Sequence, residues 1–289
     1  MKKTNILIAI LLVLNPLVAN GQRETETIKK SLKVSADTKE MWFCICNISG
    51  DVEVEAYDGN TIELILKKEV SGKRQSDVTK GMDELQIDVS EGENYVKVQM
   101  TAPYITNRSK NDELDCSSQW NRNGDRDYRF RYDYKVKVPR HISVKISTVN
   151  DGDLFVKGVE GEVYANNVNG DVELEGIKEN TKAHTVNGTI EVQYAAMPSE
   201  FGDFQTINGN IEIFTPTNAG AVFSFDTRWG EVYSDFDFSK KIAPKVVTNI
   251  KKGGTKYKIS NSNSYQVGEG GPTMDFETLN GDILIRKGK

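Results

Sequence analysis

A short phrase, Thr-Val-Asn-Gly-Thr-Ile-Glu-Val at residues 185–192, recurs along this chain with small changes. Each close copy has an apolar residue two places before a glycine and apolar residues two and four places after it. Close copies occupy residues 167–174, 206–213 and 278–285, and weaker ones begin at Asn47, Thr148 and Thr227. From Gly152 onward the repeat glycines are 18, 18, 21 and 21 residues apart. A period near 20 residues indicates stacked units that bury their apolar faces only against one another.

The residue types at the turn favour a coil of β-strands. Asn and Gly adopt a left-handed backbone at a corner without steric cost. A meander of hairpins also uses such turns, but it does not require a constant spacing between them. The threonines that open the phrase are expected to stack hydroxyl on hydroxyl. The sequence therefore predicts an all-β chain built as a single-stranded, β-helix-like solenoid.

The N-terminus has the pattern of a secretory signal peptide. Lys2 and Lys3 precede an apolar run from Ile6 to Val18. Small residues follow it, so cleavage is expected after Gly21, with Ala19 as the alternative. This run is too short for a membrane-spanning helix, and no later apolar stretch reaches the roughly 18 residues that such a helix requires. We expect an exported protein without a transmembrane segment, in the periplasm, on the outer surface or outside the cell. The predicted divisions are a signal peptide (1–21), a polar leader (22–30), an N-terminal β region with an inserted hairpin and loop (31–140) and solenoid repeats (141–289).

The charge balance argues against one class of partner. The chain has 37 Lys and Arg against 42 Asp and Glu, a net charge of −5, and loss of Lys2 and Lys3 would make it more acidic. An acidic protein does not attract nucleic acid through its net field. We therefore expect a protein or glycan ligand rather than a nucleic acid.

Residues 106–127 form a long polar segment without periodicity, and Trp120 is its one large apolar group. Segments of this length without structure of their own are commonly functional or disordered. The strand that follows, 128–138, alternates aromatic and apolar residues with charged ones. Such a pair of rows fits an acidic glycan or a strand of nucleic acid, but the alternation favours a half-buried strand with a solvated charged face, because it requires nothing more. The possible binding surface comprises Trp120, Arg129, Arg131 and Lys135.

Three cysteines, Cys44, Cys46 and Cys116, leave an odd count after any pairing within the chain. Two interpretations remain open. Cys44 and Cys46 are small buried side chains, or Cys116 bridges to one of them after export. Cys-x-Cys with only two histidines supplies no recognised metal-ligand set, so no metal site is predicted.

From residue 133 the sequence resembles the bacterial putative-adhesin family of β-strand-repeat domains. The resemblance rests on the Tyr134–Pro139 strand, the Ile142–Asn150 segment and the Gly-Asp-Val-x-Leu coils that follow. It covers roughly residues 133–289 and, more loosely, 48–66. It implies a right-handed β-solenoid in an exported cell-envelope protein, and it supplies no catalytic residues.

The strongest candidates for catalytic or metal-binding residues are the acids that follow the repeat glycine: Asp51, Asp153, Asp171 and Asp282. Some β-solenoids bind Ca²⁺ or cleave glycans at such rows. Thr189 and Asn210 stand at the same position in other copies, however, which favours solvated turn residues. We therefore predict no catalytic residue and no cofactor. The expected function is a non-enzymatic cell-envelope adhesin or binding scaffold, and the alternative is a β-helix enzyme acting on polysaccharides.

Overall fold

The structure is a computed structural model of the chain. It describes residues 22–34, 38–107, 113–120, 126–238, 240–242, 246–251, 254–259 and 263–288. The predicted signal peptide, residues 1–21, lies outside this part of the chain.

The described residues contain 25 strands and one helix. The N-terminal elements are β1 (Gln22–Lys33), β2 (Trp42–Cys46), β3 (Val52–Tyr57), β4 (Thr61–Gly72), α1 (Gln75–Glu84), β5 (Gln86–Glu91), β6 (Tyr95–Thr101), β7 (Ile105–Asn107), β8 (Ser118–Trp120) and β9 (Tyr128–Pro139). The repeats contribute β10 (Ser143–Ser147), β11 (Leu154–Lys157), β12 (Val163–Asn166), β13 (Val172–Ile177), β14 (Thr181–His184), β15 (Ile190–Tyr194), β16 (Phe201–Asn208) and β17 (Ile211–Thr215). The C-terminal strands are β18 (Ala221–Thr227), β19 (Val232–Ser234), β20 (Lys240–Ile242), β21 (Val246–Lys251), β22 (Gly254–Ile259), β23 (Asn263–Val267), β24 (Thr273–Asn280) and β25 (Ile283–Lys287).

Two large mixed sheets hold most of these strands. Sheet A has ten strands in the order β1-β4-β9-β3-β11-β13-β15-β17-β25-β19, and sheet B has eleven in the order β20-β23-β18-β24-β16-β14-β12-β10-β2-β6-β5. Each repeat sends one strand to sheet B and the next to sheet A, and equivalent strands of successive repeats pair in parallel. The predicted all-β class is confirmed, in the form of two large mixed sheets.

The apolar residues two and four places after each repeat glycine point between the sheets, as the alternation predicts. The apolar residue two places before the glycine does not, since Ile207 is 44% exposed and Leu279 is 37% exposed. Leu154, Val172, Ile190, Ile211 and Ile283 are in register on neighbouring strands of sheet A, and all are buried. They belong to a core cluster that extends from Met41 to Ile285. Stability is therefore distributed along the stack.

The corner of each repeat explains why glycine recurs there. A Cβ added to Gly188 would lie 2.1 Å from the carbonyl oxygen of Gly170, and one added to Gly209 would lie 2.0 Å from that of Gly188. Glycine is thus required by the close approach of one coil to the next. The threonine of the phrase contributes to the same corner, but not by the predicted stacking of hydroxyls. Thr185 Oγ1 donates to Gly170 O over 2.9 Å, and Thr206 Oγ1 donates to Gly188 O over 3.0 Å.

The asparagines of the phrase form an amide ladder along the corner. Asn187 Nδ2 donates to Asn169 Oδ1, Asn208 Nδ2 to Asn187 Oδ1, and Asn280 Nδ2 to Asn208 Oδ1, each over 2.8 Å. Asn169 Nδ2 reaches Asn150 Oδ1 over 3.4 Å. The ladder follows the spatial order of the coils rather than their order in the chain, because Asn280 comes directly after Asn208.

The N-terminal end of the stack differs from the prediction. Residues 22–30 are not a leader but most of β1, which pairs antiparallel with β4 along its whole length. An edge strand needs few inward apolar residues, and Ile28 and Leu32 are the ones that β1 supplies. Helix α1 packs beside it, where the ammonium of the buried Lys68 donates to the carbonyls of Met82 and Leu85 over 2.7 Å. The predicted hairpin is present as β5 and β6.

Strand β2 lies inside sheet B, between β10 and β6. Near the C-terminus, β23 pairs with β18 and β20. The division after Arg140 stays a prediction. No helix in the described ranges is long and apolar enough to span a membrane.

Candidate functional site

A groove of about 940 Å³ lies on the outer face of sheet A, over the adjacent strands β1, β4, β9, β3 and β11. The strand register arranges its lining as two rows that run across the five strands. The first row is Lys29, Ile65, Lys135, Glu53 and Phe155, and the second is Ser31, Glu63, Lys137, Glu55 and Lys157. With strands about 4.8 Å apart, each row is roughly 19 Å long. This is space for an extended ligand.

The groove combines an apolar floor with excess positive charge. Ile65 is 43% exposed there, and the half-buried Phe155 lies two strands beyond Lys135. Five lysines and three glutamates line the groove. Lys135 Nζ is 2.9 Å from Glu53 Oε2, which raises the pKa of Lys135. Lys157 is paired with Glu175 at 2.8 Å, and Lys30 lies on the opposite face of β1, with Ile28 and Leu32. Among the described residues, Lys29 and Lys137 form no ion pair, so their charges are available to a ligand.

Of the four residues predicted as a binding surface, Lys135 lines this groove. Arg129 is exposed on β9 outside it. Trp120 ends the short strand β8, which pairs with β7, and its side chain is outside the described part of the chain. The structure therefore does not gather these four residues into one described surface. The other groove lysines on β1 and β11 lie too far away in sequence for alternation along β9 to predict them.

Arg131 is bonded to other residues of the protein, which indicates a structural role rather than a binding one. Its guanidinium contacts Asp51 Oδ2 at 2.6 Å and Asp133 Oδ1 at 2.7 Å, and it also donates to the carbonyl of Asp151. Although partial burial lowers the pKa of Arg131, these carboxylates raise it overall. Arg131 thereby joins β9 to the first corners of the repeat.

The aromatic row of β9 is the inner face of the strand. Tyr132 and Tyr134 are completely buried, and Tyr128 is 6% exposed. Burial raises the pKa of the Tyr134 hydroxyl. These rings belong to the core, so the explanation of a half-buried strand is the correct one for this row.

The recurrent acids do form a row along one corner, and each carboxylate accepts a backbone hydrogen bond from the next coil. Asp51 Oδ1 accepts from the amide of Asp153 over 3.0 Å, Asp153 Oδ1 from that of Asp171 over 2.8 Å, and Asp171 Oδ1 from that of Thr189 over 2.7 Å. Asn210 Oδ1 accepts in the same way from the amide of Asp282 over 2.9 Å. The position requires an acceptor oxygen rather than a charge.

The histidines are paired with carboxylates. His141 Nδ1 lies 3.0 Å from Glu160 Oε2, and His184 Nε2 lies 3.1 Å from Asp203 Oδ2 on the neighbouring strand. The His184 side chain is 31% exposed. Although burial raises the pKa of Asp203, its contacts with His184 and Gln205 lower that pKa overall.

The cysteines settle into one disulfide and one thiol. Cys46 and Cys116 are bonded, with Cα atoms 5.2 Å apart, and the Cys44 thiol is buried beside them. The three sulfur atoms lie within 4.8 Å of one another. With two of them in a disulfide, the cluster presents a single thiol in this state.

Comparisons with known proteins give only remote likenesses. No family model and no curated protein sequence matches the chain. Its fold is similar to that of a putative cell adhesion protein from Clostridium sporogenes, with a TM-score of 0.41 and 11% identity over 91% of this chain and 100% of the other. A putative adhesin from Bacteroides fragilis gives 0.32 and 8% over 90% and 97%, and a putative lipid binding protein from Parabacteroides distasonis gives 0.24 and 13% over 94% and 98%.

Proposed function

We propose that this chain is an exported, non-enzymatic protein of the cell envelope that binds an acidic glycan through the groove on sheet A. The groove carries the proposal. It places the side chains of four lysines around an apolar floor on a protein whose net charge is negative. Local charge opposite to the net charge is a feature that binding sites use to attract ligands of matching sign.

The architecture proposed for the repeats is a right-handed β-solenoid wound from a single chain, in which each coil contributes one strand to sheet B and one to sheet A. The parallel register between successive coils supports it, because connections between parallel strands of one sheet are almost always right-handed. A rigid stack of this kind holds the groove lysines on strands rather than on loops. Adhesion fits such a scaffold, since it requires a fixed surface and no moving parts.

Direct binding of an anionic oligosaccharide tests the proposal. Oligogalacturonate and a neutral dextran of equal length are titrated into the protein at low and high salt. We expect the acidic chain alone to bind, and more weakly at high salt because exposed charges are screened. Lys137→Ala should weaken binding by up to about fivefold, the factor that corresponds to about 1 kcal/mol for one exposed ion pair.

Lys80→Ala, on the exposed face of α1 and outside the groove, is the matched control and should bind as the unaltered protein does. Equal affinity for dextran, or an unchanged affinity in Lys137→Ala, would contradict an anionic ligand in the groove. An acidic peptide of the same charge is the second ligand to titrate, because the same lysines would attract it.

The alternative function is a β-helix enzyme acting on polysaccharides. Its natural catalytic row would be the acids at the corner, but those acids already accept backbone amides. Release of reducing ends from acidic polysaccharides, lost in Asp171→Asn, would establish the enzyme and overturn the binding protein.

A further inference from the structure

The buried thiol of Cys44 lies against the neighbouring disulfide. Its sulfur is 3.7 Å from the sulfur of Cys116 and 3.8 Å from that of Cys46. Cys44 and Cys46 lie on the outer face of β2, because the residues between and before them, Ile45 and Phe43, belong to the core cluster. The segment that carries Cys116 covers this face, which explains why Cys44 is 0% exposed although it points away from the core.

Two lysines flank Cys44 in the sheet. Lys145 on β10 and Lys97 on β6 are its register partners on the two sides. The ammonium of Lys97 also donates to the carbonyls of Glu113 and Asp115 in the covering segment. Hydrogen bonds from Ser117, with the charges of Lys145 and Lys97, lower the pKa of Asp115 against the opposing effect of burial. Burial disfavours the thiolate, which is the form that attacks disulfides, and positive charge near a cysteine opposes that effect.

We propose that Cys44, Cys46 and Cys116 form a thiol–disulfide exchange site in which Cys44 displaces Cys46 from Cys116. The Cys44 thiolate attacks Cys116 Sγ, a bond forms between those two sulfurs, and the Cys46–Cys116 bond breaks. Cys46 leaves as a thiolate and takes up the proton that Cys44 lost. One disulfide and one thiol are present before and after, so no external oxidant or reductant is needed.

Geometry selects the sulfur that is attacked. Attack on Cys46 would join two cysteines that are two residues apart on one strand, whose side chains point in parallel and are poorly placed to bond. Attack on Cys116 has no such restriction, because Cys116 lies in the covering segment between β7 and β8. The nearly equal distances place Cys44 beside the existing bond, so Cys116 must rotate to bring the bond into line with the incoming sulfur.

The exchange would move the attachment point of the covering segment two residues along β2, about 7 Å. It would also change a pocket of about 270 Å³ that Cys46 and Cys116 line together with Gln99, Ser147 and Asn167. In the exchanged isomer the wall of this pocket carries the Cys46 thiol in place of the disulfide. The site thus gives the protein two covalent isomers that differ in which residue of β2 anchors the covering segment.

The proposal is tested by finding which cysteine carries the thiol. The protein is incubated in mildly alkaline buffer without reductant, quenched in acid and unfolded. Its thiol is then blocked with a maleimide, which reacts while exchange is suppressed. The disulfide is next reduced and labelled with a second reagent, and fragmentation mass spectrometry locates each label. We expect the maleimide on Cys46 in part of the molecules and on Cys44 in the rest. Maleimide on Cys44 alone after prolonged incubation would overturn the proposal.

Two variants test the roles of Cys46 and Cys44 separately. Cys46→Ser should form the Cys44–Cys116 disulfide, and two thiols recovered from this variant under oxidising conditions would contradict the geometry. Cys44→Ser should retain Cys46–Cys116 and show no maleimide on Cys46. Maleimide on Cys46 in that variant would mean that the disulfide opens without Cys44, which also contradicts the proposal.

Discussion

The side-chain amide of Asn187 donates to Asn169 Oδ1 over 2.8 Å, while its own Oδ1 accepts from Asn208 over the same distance. Asn187 therefore joins three successive coils through one side chain. The amide group suits this position because its donor and its acceptor lie in one plane and point in opposite directions.

We predict that Asn187→Ala destabilises the protein by about 1–3 kcal/mol, the loss of two hydrogen bonds at roughly 0.5–1.5 kcal/mol each. Asn187→Asp should also destabilise it, because a carboxylate accepts from Asn208 but cannot donate to Asn169. Urea unfolding measures both effects. Gln193→Ala, on the exposed face of β15, is a control that removes an amide outside the ladder. If its effect equals that of Asn187→Ala, the ladder contributes no special stability.

The acids at the corner allow a substitution that separates charge from hydrogen bonding. Asp171→Asn keeps an acceptor oxygen for the amide of Thr189, as Asn210 does naturally for Asp282. We expect it to change the free energy of unfolding by less than about 0.5 kcal/mol. Asp171→Ala leaves the amide of Thr189 without that acceptor and should cost about 1–2 kcal/mol. Equal losses in the two variants would show that the charge, and not the acceptor, stabilises the corner.

Among the positions of the phrase, the glycine is the one where we expect a substitution to be most destabilising. Gly188→Ala would place a methyl group 2.1 Å from the backbone oxygen of Gly170, which cannot move without moving a coil. We expect a loss of at least about 1–3 kcal/mol, the usual cost of overpacking, measured by thermal unfolding. Gly176→Ala is the comparison. There the nearest atom is 3.7 Å away and the cost is only that of a left-handed alanine, about 1–2 kcal/mol. A smaller effect at Gly188 than at Gly176 would contradict the close approach of the coils.

The outer face of sheet A stacks Glu173, Glu191 and Glu212 in register on adjacent strands. Partial burial, with the charges of Glu191 and Glu175, raises the pKa of Glu173 above its ordinary value of 4.5. A carboxyl group whose pKa is higher in the folded state contributes stability below its unfolded pKa and loses that contribution as the pH rises through the folded one. At neutral pH the Glu173 charge is therefore unfavourable.

We predict that Glu173→Gln is more stable than the unaltered protein at pH 7 by a few tenths of a kcal/mol. The difference should vanish as the pH falls below the unfolded value of about 4.3. Urea unfolding across this pH range measures it. Glu24→Gln, on the exposed edge strand, provides the control and should show no such gain. A difference for Glu173→Gln that grows as the pH falls would have the wrong sign for this explanation.

The repeat could be predicted from the sequence because its constraints are local and recur. The buried positions after each glycine follow from alternation alone, and the corner residues follow from backbone geometry. Strand β1 escaped prediction for the opposite reason. As an exposed edge strand paired along one side, it needs only Ile28 and Leu32 facing the core, too few to form a pattern.

The groove could be predicted only in part. Lys135 stands out within β9, but Lys29 and Lys157 join it only through the registers of four strand pairs. One sequence does not contain those registers. The disulfide illustrates the same limit, because the choice of Cys46 over Cys44 depends on where a segment without periodicity crosses the sheet.

The coil built from β24 and β25 has a consequence for the order of assembly. It lies between the coil of β16 and β17 and that of β18 and β19, although it follows both in the chain. A chain emerging from its N-terminus can add coils one by one only as far as β17. Strands β18 and β19 then have no edge of the stack to join until Thr273–Lys287 arrives, although β18 can already pair with β23. The final layers must therefore join the stack together, as one cooperative step.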